Sequence, residues 1–418
     1  MISASLCIRC KGRLWCRLSH CPILEKFETK KKAVSSIQEK EFTGSSPPSL
    51  FVSRNNYPFV SIAPLAPPLV SEQNSFLDNP EQWFGLSSNQ IIQLRSQLIQ
   101  SKTNMKADQA SNPSNDLLSL QELALSVQPV EAQFQLQEKP KLNLSFNETT
   151  APLGPIALLE KMSLQENPRI PQKVDYLVSD TAVKSQIAIQ ELFDHGLPVH
   201  YLSKILSAGT LGIKNNRSLV PTRWSITAID DSVSKYLINK SVKYFQQIGE
   251  IELFASNYLG NSFFIVLIPN NWSFEMLECW LPGSPWTLED PTYQQSKEYT
   301  IIADFELYGG RKKYADNITG AYYAARLAIA EHLVKRKRQA TALVFREIGE
   351  SYSSPLGVWV IRETVRNALQ KKPLRFSDLD LALQYLKLRL QVPFQNYKQK
   401  SHLLDALKNQ KKITAWIV

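Results

Sequence analysis

The sequence is short of cysteine, histidine and long apolar runs. It holds five cysteines, five histidines and fifteen glycines among 418 residues. No run of about 18 or more apolar residues occurs, so no segment is expected to span a bilayer as a helix. No histidine pair stands in H-E-x-x-H spacing, and there is no P-loop, dinucleotide fingerprint, nucleophile elbow or kinase signature. Zinc hydrolysis, nucleotide hydrolysis and acyl transfer of the common kinds therefore have no support. The N-terminus lacks a signal-peptide core, because Lys11, Arg13 and Arg17 interrupt it, and the expected address is the cytoplasm. No internal repeat or low-complexity tract is present.

What is present reads as globular. Hydrophobic residues make up 43%, aromatic residues 10% and charged residues 21% of the chain. That composition suits a chain of this length with two or three domains. The formal net charge is +10. The first 40 residues hold nine Lys or Arg against Glu25, Glu28 and Glu39, a surplus of six. Such an uneven basic excess favours a polyanionic partner, above all nucleic acid.

Four of the five cysteines fall in one cluster: Cys7, Cys10, Cys16 and Cys21. Clustering in a chain with no secretion signal points to a metal, whereas a disulfide framework would spread its cysteines. The spacing C-x2-C-x5-C-x4-C supplies four soft ligands for tetrahedral Zn2+, and Gly12 allows the tight turn between pairs. A structural zinc stapling residues 1–40 is the expectation, with His20 as the alternative to Cys21 for the fourth ligand. Cys279, isolated between Glu278 and Trp280, is expected to be a buried small hydrophobe.

The chain closes on Gln410-Lys411-Lys412-Ile413-Thr414-Ala415-Trp416-Ile417-Val418. One helical turn from Ile413 brings Trp416 and Ile417 beside it, an apolar plug suited to a partner's groove, with Gln410 as a polar anchor. The pattern resembles the clamp-binding peptide, or PIP box, that engages a PCNA-type sliding clamp. An amphipathic stretch, residues 402–408, precedes it.

Between these ends, residues 23–40 read as a charged helix and the Pro-rich segment 44–68 as extended and packed. Helices are expected over 88–100 and 117–126, a polar loop over 101–116, and a strand with turns over 128–150. A helical pair, 182–194 and 201–208, is broken at Gly196 and Pro198. A DNA-reading helix-turn-helix is one reading of that pair and a core hairpin the other. Strands are expected at 263–268, 299–307 and 341–348, and helices at 320–334 and 358–371. The fold class is mixed, α/β or α+β. Its expected organisation is a zinc-binding module over 1–40, a main body over 41–400 with a sub-boundary near 170–215, and a clamp-binding tail over 401–418.

Six residues are candidates for nucleic acid or phosphate contact: Arg223, Trp224, Arg311, Lys312, Arg346 and Arg362. Arg223-Trp224 lies in Leu219–Thr227 (LVPTRWSIT), upstream of Asp230-Asp231. Those two carboxylates are alternatively magnesium ligands or, for Asp231, a helix N-cap. Arg311-Lys312 lies in Tyr308–Tyr314 (YGGRKKY), where a glycine pair beside cations makes a phosphate cradle and tyrosines can stack on bases.

Taken in order along the chain, these segments resemble the Nre family of archaeal-type DNA repair proteins. The resemblance is carried by the cysteine cluster through His20-Cys21-Pro22, Ser46–Ser49, LVPTRWSIT, YGGRKKY, Ala321–Arg326 (AYYAAR) and Pro355–Trp359 (PLGVW). It implies a role in DNA damage repair, a four-cysteine zinc finger on Cys7, Cys10, Cys16 and Cys21, and clamp binding through Gln410, Ile413, Trp416 and Ile417. Ile413 and Ile417 stand where the family's peptide usually has leucine, and Val418 is added. The competing reading is an enzyme on nucleic acid or nucleotides, a nuclease or a nucleotidyl- or ADP-ribosyl-type transferase. It requires Arg223, Asp230, Arg311, Lys312, Arg346, Glu347, Arg362 and Glu363 to converge in one pocket within 220–366. A third is a zinc-stabilised scaffold for protein partners.

Overall fold

The computed structural model describes residues 10, 13–15, 21–35, 37, 40–141, 154–282, 299–352 and 355–409. The chain divides into two compact units between Val233 and Ser234, within the long helix Thr222–Lys240. Each unit is built on a mixed six-stranded sheet. Among the described residues no helix is long and apolar enough to cross a membrane.

The N-terminal sheet contains β1 (Glu41–Ser46), β2 (Leu50–Val52), β3 (Phe59–Ala66), β4 (Ile99–Lys106), β5 (Val130–Leu136) and β6 (Ile156–Leu164). Their spatial order is β1-β5-β6-β4-β3-β2, and only the β4–β6 pair is parallel. The Pro-rich segment is thus ordered, as its aromatic and β-branched residues require. Pro64 sits in β3 near its end, and Gly44 in β1 is needed because a Cβ there would lie 1.9 Å from the Pro67 carbonyl oxygen. The helix Asn115–Leu125 is capped by Ser114, which accepts the Leu117 N–H. It buries Leu117, Leu120, Leu123 and Ala124 in the same core as Val60, Ile62, Ala132 and Phe134.

Two expectations fail here. The helix from Ser88 stops at Ser96, and residues 99–106 form β4 where a polar loop was expected. Its alternation is weak (Ile-Gln-Ser-Lys-Thr-Asn-Met-Lys), so pairing with β3 and β6 decides the conformation over local preference. The helical pair exists, as Ser185–Asp194 and Val199–Ser207. Its second helix has no exposed residue, however, so it is a core hairpin without a face to enter a DNA groove.

The C-terminal sheet contains β7 (Ile251–Tyr258), β8 (Asn261–Ile268), β9 (Ser273–Trp280), β10 (Thr300–Glu306), β11 (Thr341–Ile348) and β12 (Leu374–Phe376), in the order β10-β9-β11-β8-β7-β12. β11 is inserted between β8 and β9, antiparallel to the first and parallel to the second. A strand so placed has neighbours on both edges and both faces, and all eight of its residues are buried. On one face, Leu343, Phe345, Leu277 and Cys279 pack with Leu386, Phe394, Tyr397, Leu403 and Leu404 from the helices Leu379–Lys387, Phe394–Lys400 and His402–Asn409. Cys279 is the buried hydrophobe its isolation suggested, and burial pushes its thiol up to about 12. The opposite face carries Phe274, against which Tyr322 of the helix Gly320–Arg336 packs edge-on at 4.9 Å.

The helix His402–Asn409 belongs to this body. Glu275 on β9 accepts the His402 and Leu403 amides at 2.7 and 3.2 Å and the Ser401 hydroxyl, so a carboxylate sits on the helix N-terminus. Leu403 and Leu404 are buried against the sheet, so the helix is anchored on this body at its N-terminal end.

His332, in the helix Gly320–Arg336, lies 5.5 Å edge-on from Phe254, and burial with Arg336 beside it pulls its pKa down to about 4. Neutral imidazole is favoured in the fold while the unfolded chain titrates near 6.5. Stability from this residue is therefore complete above about 6.5 and is lost as pH falls toward 4. Denaturant melts from pH 7.5 to 4.5 are expected to show a steeper decline for the natural chain than for His332→Gln.

Candidate functional site

The helix Thr222–Lys240 starts where it does because Pro221 precedes it and the Pro221 carbonyl accepts the Trp224 and Ser225 amides at 2.8 and 3.0 Å. Asp230 and Asp231 therefore sit inside the helix, and the cap role considered for Asp231 does not occur. Asp230 is fully buried, and adjacent helical positions point about 100° apart. Arg223 and Trp224 occupy the first turn and face solvent, Trp224 being 45% exposed. Its ring leans on Tyr57 from the β2–β3 turn, with centroids 5.1 Å apart.

In the C-terminal unit, the YGGRKKY segment is a loop after β10. Arg311 is its brace: its guanidinium donates to the carbonyls of Phe305 at 2.7 Å and Tyr314 at 2.9 Å, and pairs with buried Asp304 at 3.1 Å. Fixing one arginine inward leaves Lys312, Lys313, Tyr308 and Tyr314 outside. Lys243 Nζ stands 5.0 Å from the Tyr308 ring centroid. Gly310 takes φ +77°, and open space surrounds both glycines, so a phosphate can approach the loop backbone.

Arg346 and Arg362 do not belong with these residues. Arg346, on β11, bonds Glu278 Oε2 at 2.5 Å and Asn261 Oδ1 at 2.5 and 3.0 Å, and is 3% exposed. Arg362 is equally buried, its Nε 3.6 Å from Glu363 Oε1. Neither offers its charge to a ligand at the surface. Glu347 projects to the opposite face from Arg346 and accepts the Gln391 and Val392 amides and the Tyr397 hydroxyl. Glu363 joins Arg366, which also holds Glu331. Within the C-terminal unit, then, Arg311, Arg346, Glu347, Arg362 and Glu363 are taken up by hydrogen bonds and ion pairs within the protein, while Lys312 faces solvent.

At the N-terminal end, Cys10 is buried and Cys21 half-buried, and Cys10 Sγ accepts the Trp15 amide at 3.3 Å. An amide donating to a thiol sulfur is the contact that a metal-bound thiolate takes from its own turn. Cys7, Cys16 and the alternative ligand His20 lie outside the described residues, as do Gln410, Ile413, Trp416 and Ile417.

The family model for the archaeal Nre N-terminal region matches residues 15–287, and that for the C-terminal region matches residues 306–416. The chain belongs to the Nre family. It is 36% identical over 377 residues to the DNA repair protein NreA of Archaeoglobus fulgidus, covering 90% of this chain and 92% of the relative. To the DNA repair protein NreB of the same organism it is 33% identical over 410 residues, covering 98% and 99%. To the DNA repair protein NreA of Haloferax volcanii it is 34% identical over 391 residues, covering 92% of each. No solved structure matches the chain.

Several segments that carry the Nre resemblance have structural work. In AYYAAR, Arg326 Nη1 pairs with Glu306 Oε2 at 2.6 Å, and Tyr322 and Trp272 donate to the same carboxylate. In PLGVW, Trp359 Nε1 donates to the Leu356 carbonyl at 2.7 Å across Gly357, whose φ is +107°. Ser49, from Ser46–Ser49, donates to Asp78, which also takes Arg95 and lies 3.7 Å from Lys204 Nζ. Burial, with Arg95 adding repulsion against a weaker pull from Glu81, brings Lys204 down to about 7. This buried centre went unnoticed in the sequence because its members are spread from Ser49 to Lys204. The exposed partner of Trp224, Tyr57, was likewise missed, and only the hairpin fold brings the two together.

Arg346→Ala is expected to lower stability by about 3–5 kcal/mol, because Glu278 is left buried and unpaired. Lys312→Ala is expected to stay within about 0.5 kcal/mol. Urea denaturation of the two variants checks the contrast.

Proposed function

We propose that this chain is a DNA repair protein that contacts DNA through exposed basic and aromatic loops and is held near it by a C-terminal clamp-binding peptide. The observation that carries the reading is likeness along at least 90% of the chain to three proteins named as DNA repair proteins. The net charge of +10 and the solvent-facing Arg223, Lys312 and Lys313 agree with a polyanionic partner.

The tethering part rests on Gln410, Ile413, Trp416 and Ile417. They follow directly on a helix that Glu275, Leu403 and Leu404 fix to the C-terminal core. A short peptide leaving a rigid element keeps the repair protein at high effective concentration near clamp-loaded DNA, so modest clamp affinity suffices. Trp416→Ala is expected to weaken binding of the full chain to the host's PCNA-type clamp by about 2 kcal/mol or more, read by calorimetry, with the melting temperature unchanged. A lowered melting temperature together with retained clamp binding would make the tail part of the core instead.

One structural Zn2+ is proposed on Cys7, Cys10, Cys16 and Cys21. When bound it supplies a four-thiolate crosslink for a segment too short to form its own core. Metal analysis is expected to give one zinc per chain, lost in Cys16→Ser and kept in Cys279→Ser. Zinc retained in Cys16→Ser would remove that residue from the ligand set.

A further inference from the structure

Three segments of the N-terminal unit meet at the β2–β3 hairpin: residues 53–59 (Ser-Arg-Asn-Asn-Tyr-Pro-Phe), 101–106 (Ser-Lys-Thr-Asn-Met-Lys) and 222–228 (Thr-Arg-Trp-Ser-Ile-Thr-Ala). None contains a carboxylate, and together they hold four cations: Arg54, Lys102, Lys106 and Arg223. They also hold three large aromatic residues that stay in solvent, Tyr57 at 46%, Phe59 at 58% and Trp224 at 45% exposure. One exposed ring is ordinary on a protein surface. Here Tyr57 meets Trp224, Phe59 follows two residues on and Lys106 lies over its ring, a concentration that marks a surface for a partner.

The arrangement is held in place before any partner arrives. Val52 N–H donates to Thr222 Oγ1 at 2.8 Å, tying the start of the helix Thr222–Lys240 to the base of the hairpin. The turn closes through Phe59 N–H to the Asn56 carbonyl at 2.8 Å and Ser53 N–H to the Ser61 carbonyl at 2.8 Å. Asn56 takes φ +65°, which asparagine tolerates. Phe59 lies opposite Lys106 in the β3–β4 register, with Lys106 Nζ 5.4 Å from its ring centroid. Lys102, Asn104 and Lys106 alternate along β4 and so share one face of the sheet.

We propose that this face binds unpaired bases of single-stranded nucleic acid: Tyr57, Phe59 and Trp224 stack on bases, and the surrounding cations hold the flanking phosphates. The inference rests on the DNA-binding reading above and narrows it. Charge complementarity selects a polyanion, since the three segments offer four positive charges and no negative one. The rings then select among polyanions. In a duplex the base faces are already stacked on one another, whereas a single strand can splay them onto aromatic side chains.

The test is fluorescence anisotropy of the full chain with labelled oligo(dT) and with a duplex of equal length, across a salt series. Oligo(dT) is expected to bind more tightly than duplex. A Phe59→Ala, Trp224→Ala double variant is expected to lose affinity for oligo(dT) by about tenfold or more with the salt slope unchanged. Arg54→Ala and Arg223→Ala are expected to flatten that slope by about 0.7 each. Trp224→Phe, which keeps a ring, is expected to retain most of the affinity and guards against a folding defect in the double variant. Unchanged oligo(dT) binding in the double variant, or equal losses for oligo(dT) and duplex, overturns this inference and leaves the DNA-binding reading standing. Binding of neither DNA by the natural chain overturns both.

Discussion

Six carboxylates are buried in the C-terminal sheet: Glu252, Glu275, Glu278, Asp304, Glu306 and Glu347. A charge removed from water costs several kcal/mol unless a partner meets it, so each of these residues dictates what packs beside it. Arg336 meets Glu252, Arg346 meets Glu278, Arg326 meets Glu306 and Arg311 meets Asp304. Glu347 collects two amides and the Tyr397 hydroxyl, and Glu275 receives the N-terminus of the helix His402–Asn409. These contacts of Glu347 and Glu275 bring the C-terminal helices onto the sheet.

The same requirement sorts the cations. Arginines that a linear reading ranks alike separate into those neutralised inside and those facing solvent. Arg346, Arg326 and Arg362 are inside, while Arg311 holds its loop so that Lys312 and Lys313 face out. In the N-terminal unit the cations of the hairpin face have no carboxylate in their own segments. Each unit therefore presents its own basic surface with exposed aromatic residues, Tyr308 and Tyr314 in one and Tyr57, Phe59 and Trp224 in the other.

Much of the fold was legible where a local pattern coincides with burial. Thr341–Ile348 reads as an unbroken apolar and β-branched run apart from its last charged pair, and it is the central strand. Gly320–Arg336 is rich in alanine and ends on cations, and Cys279 stood far from the other cysteines. The failures have a common origin in contacts distant along the chain. β4 is polar and becomes a strand only because β3 and β6 pair with it. Arg346 looks like a surface cation until Glu278 is placed opposite it in the register. Arg223 and Trp224 were recognisable as a candidate pair, but Tyr57 and Phe59 join them only through the β2–β3 hairpin, and Lys106 only through β4, while the Val52–Thr222 bond that ties the hairpin to the helix spans 170 residues of sequence.

Ultraviolet cross-linking of the full chain to oligo(dT), with peptide mass spectrometry to locate the adducts, bears most directly on whether these aromatic surfaces hold DNA. Adducts are expected at Tyr57, Phe59 or Trp224, with a second group at Tyr308 or Tyr314. Adducts confined to other segments, or none at all in low salt, would contradict the assignment of these loops to DNA.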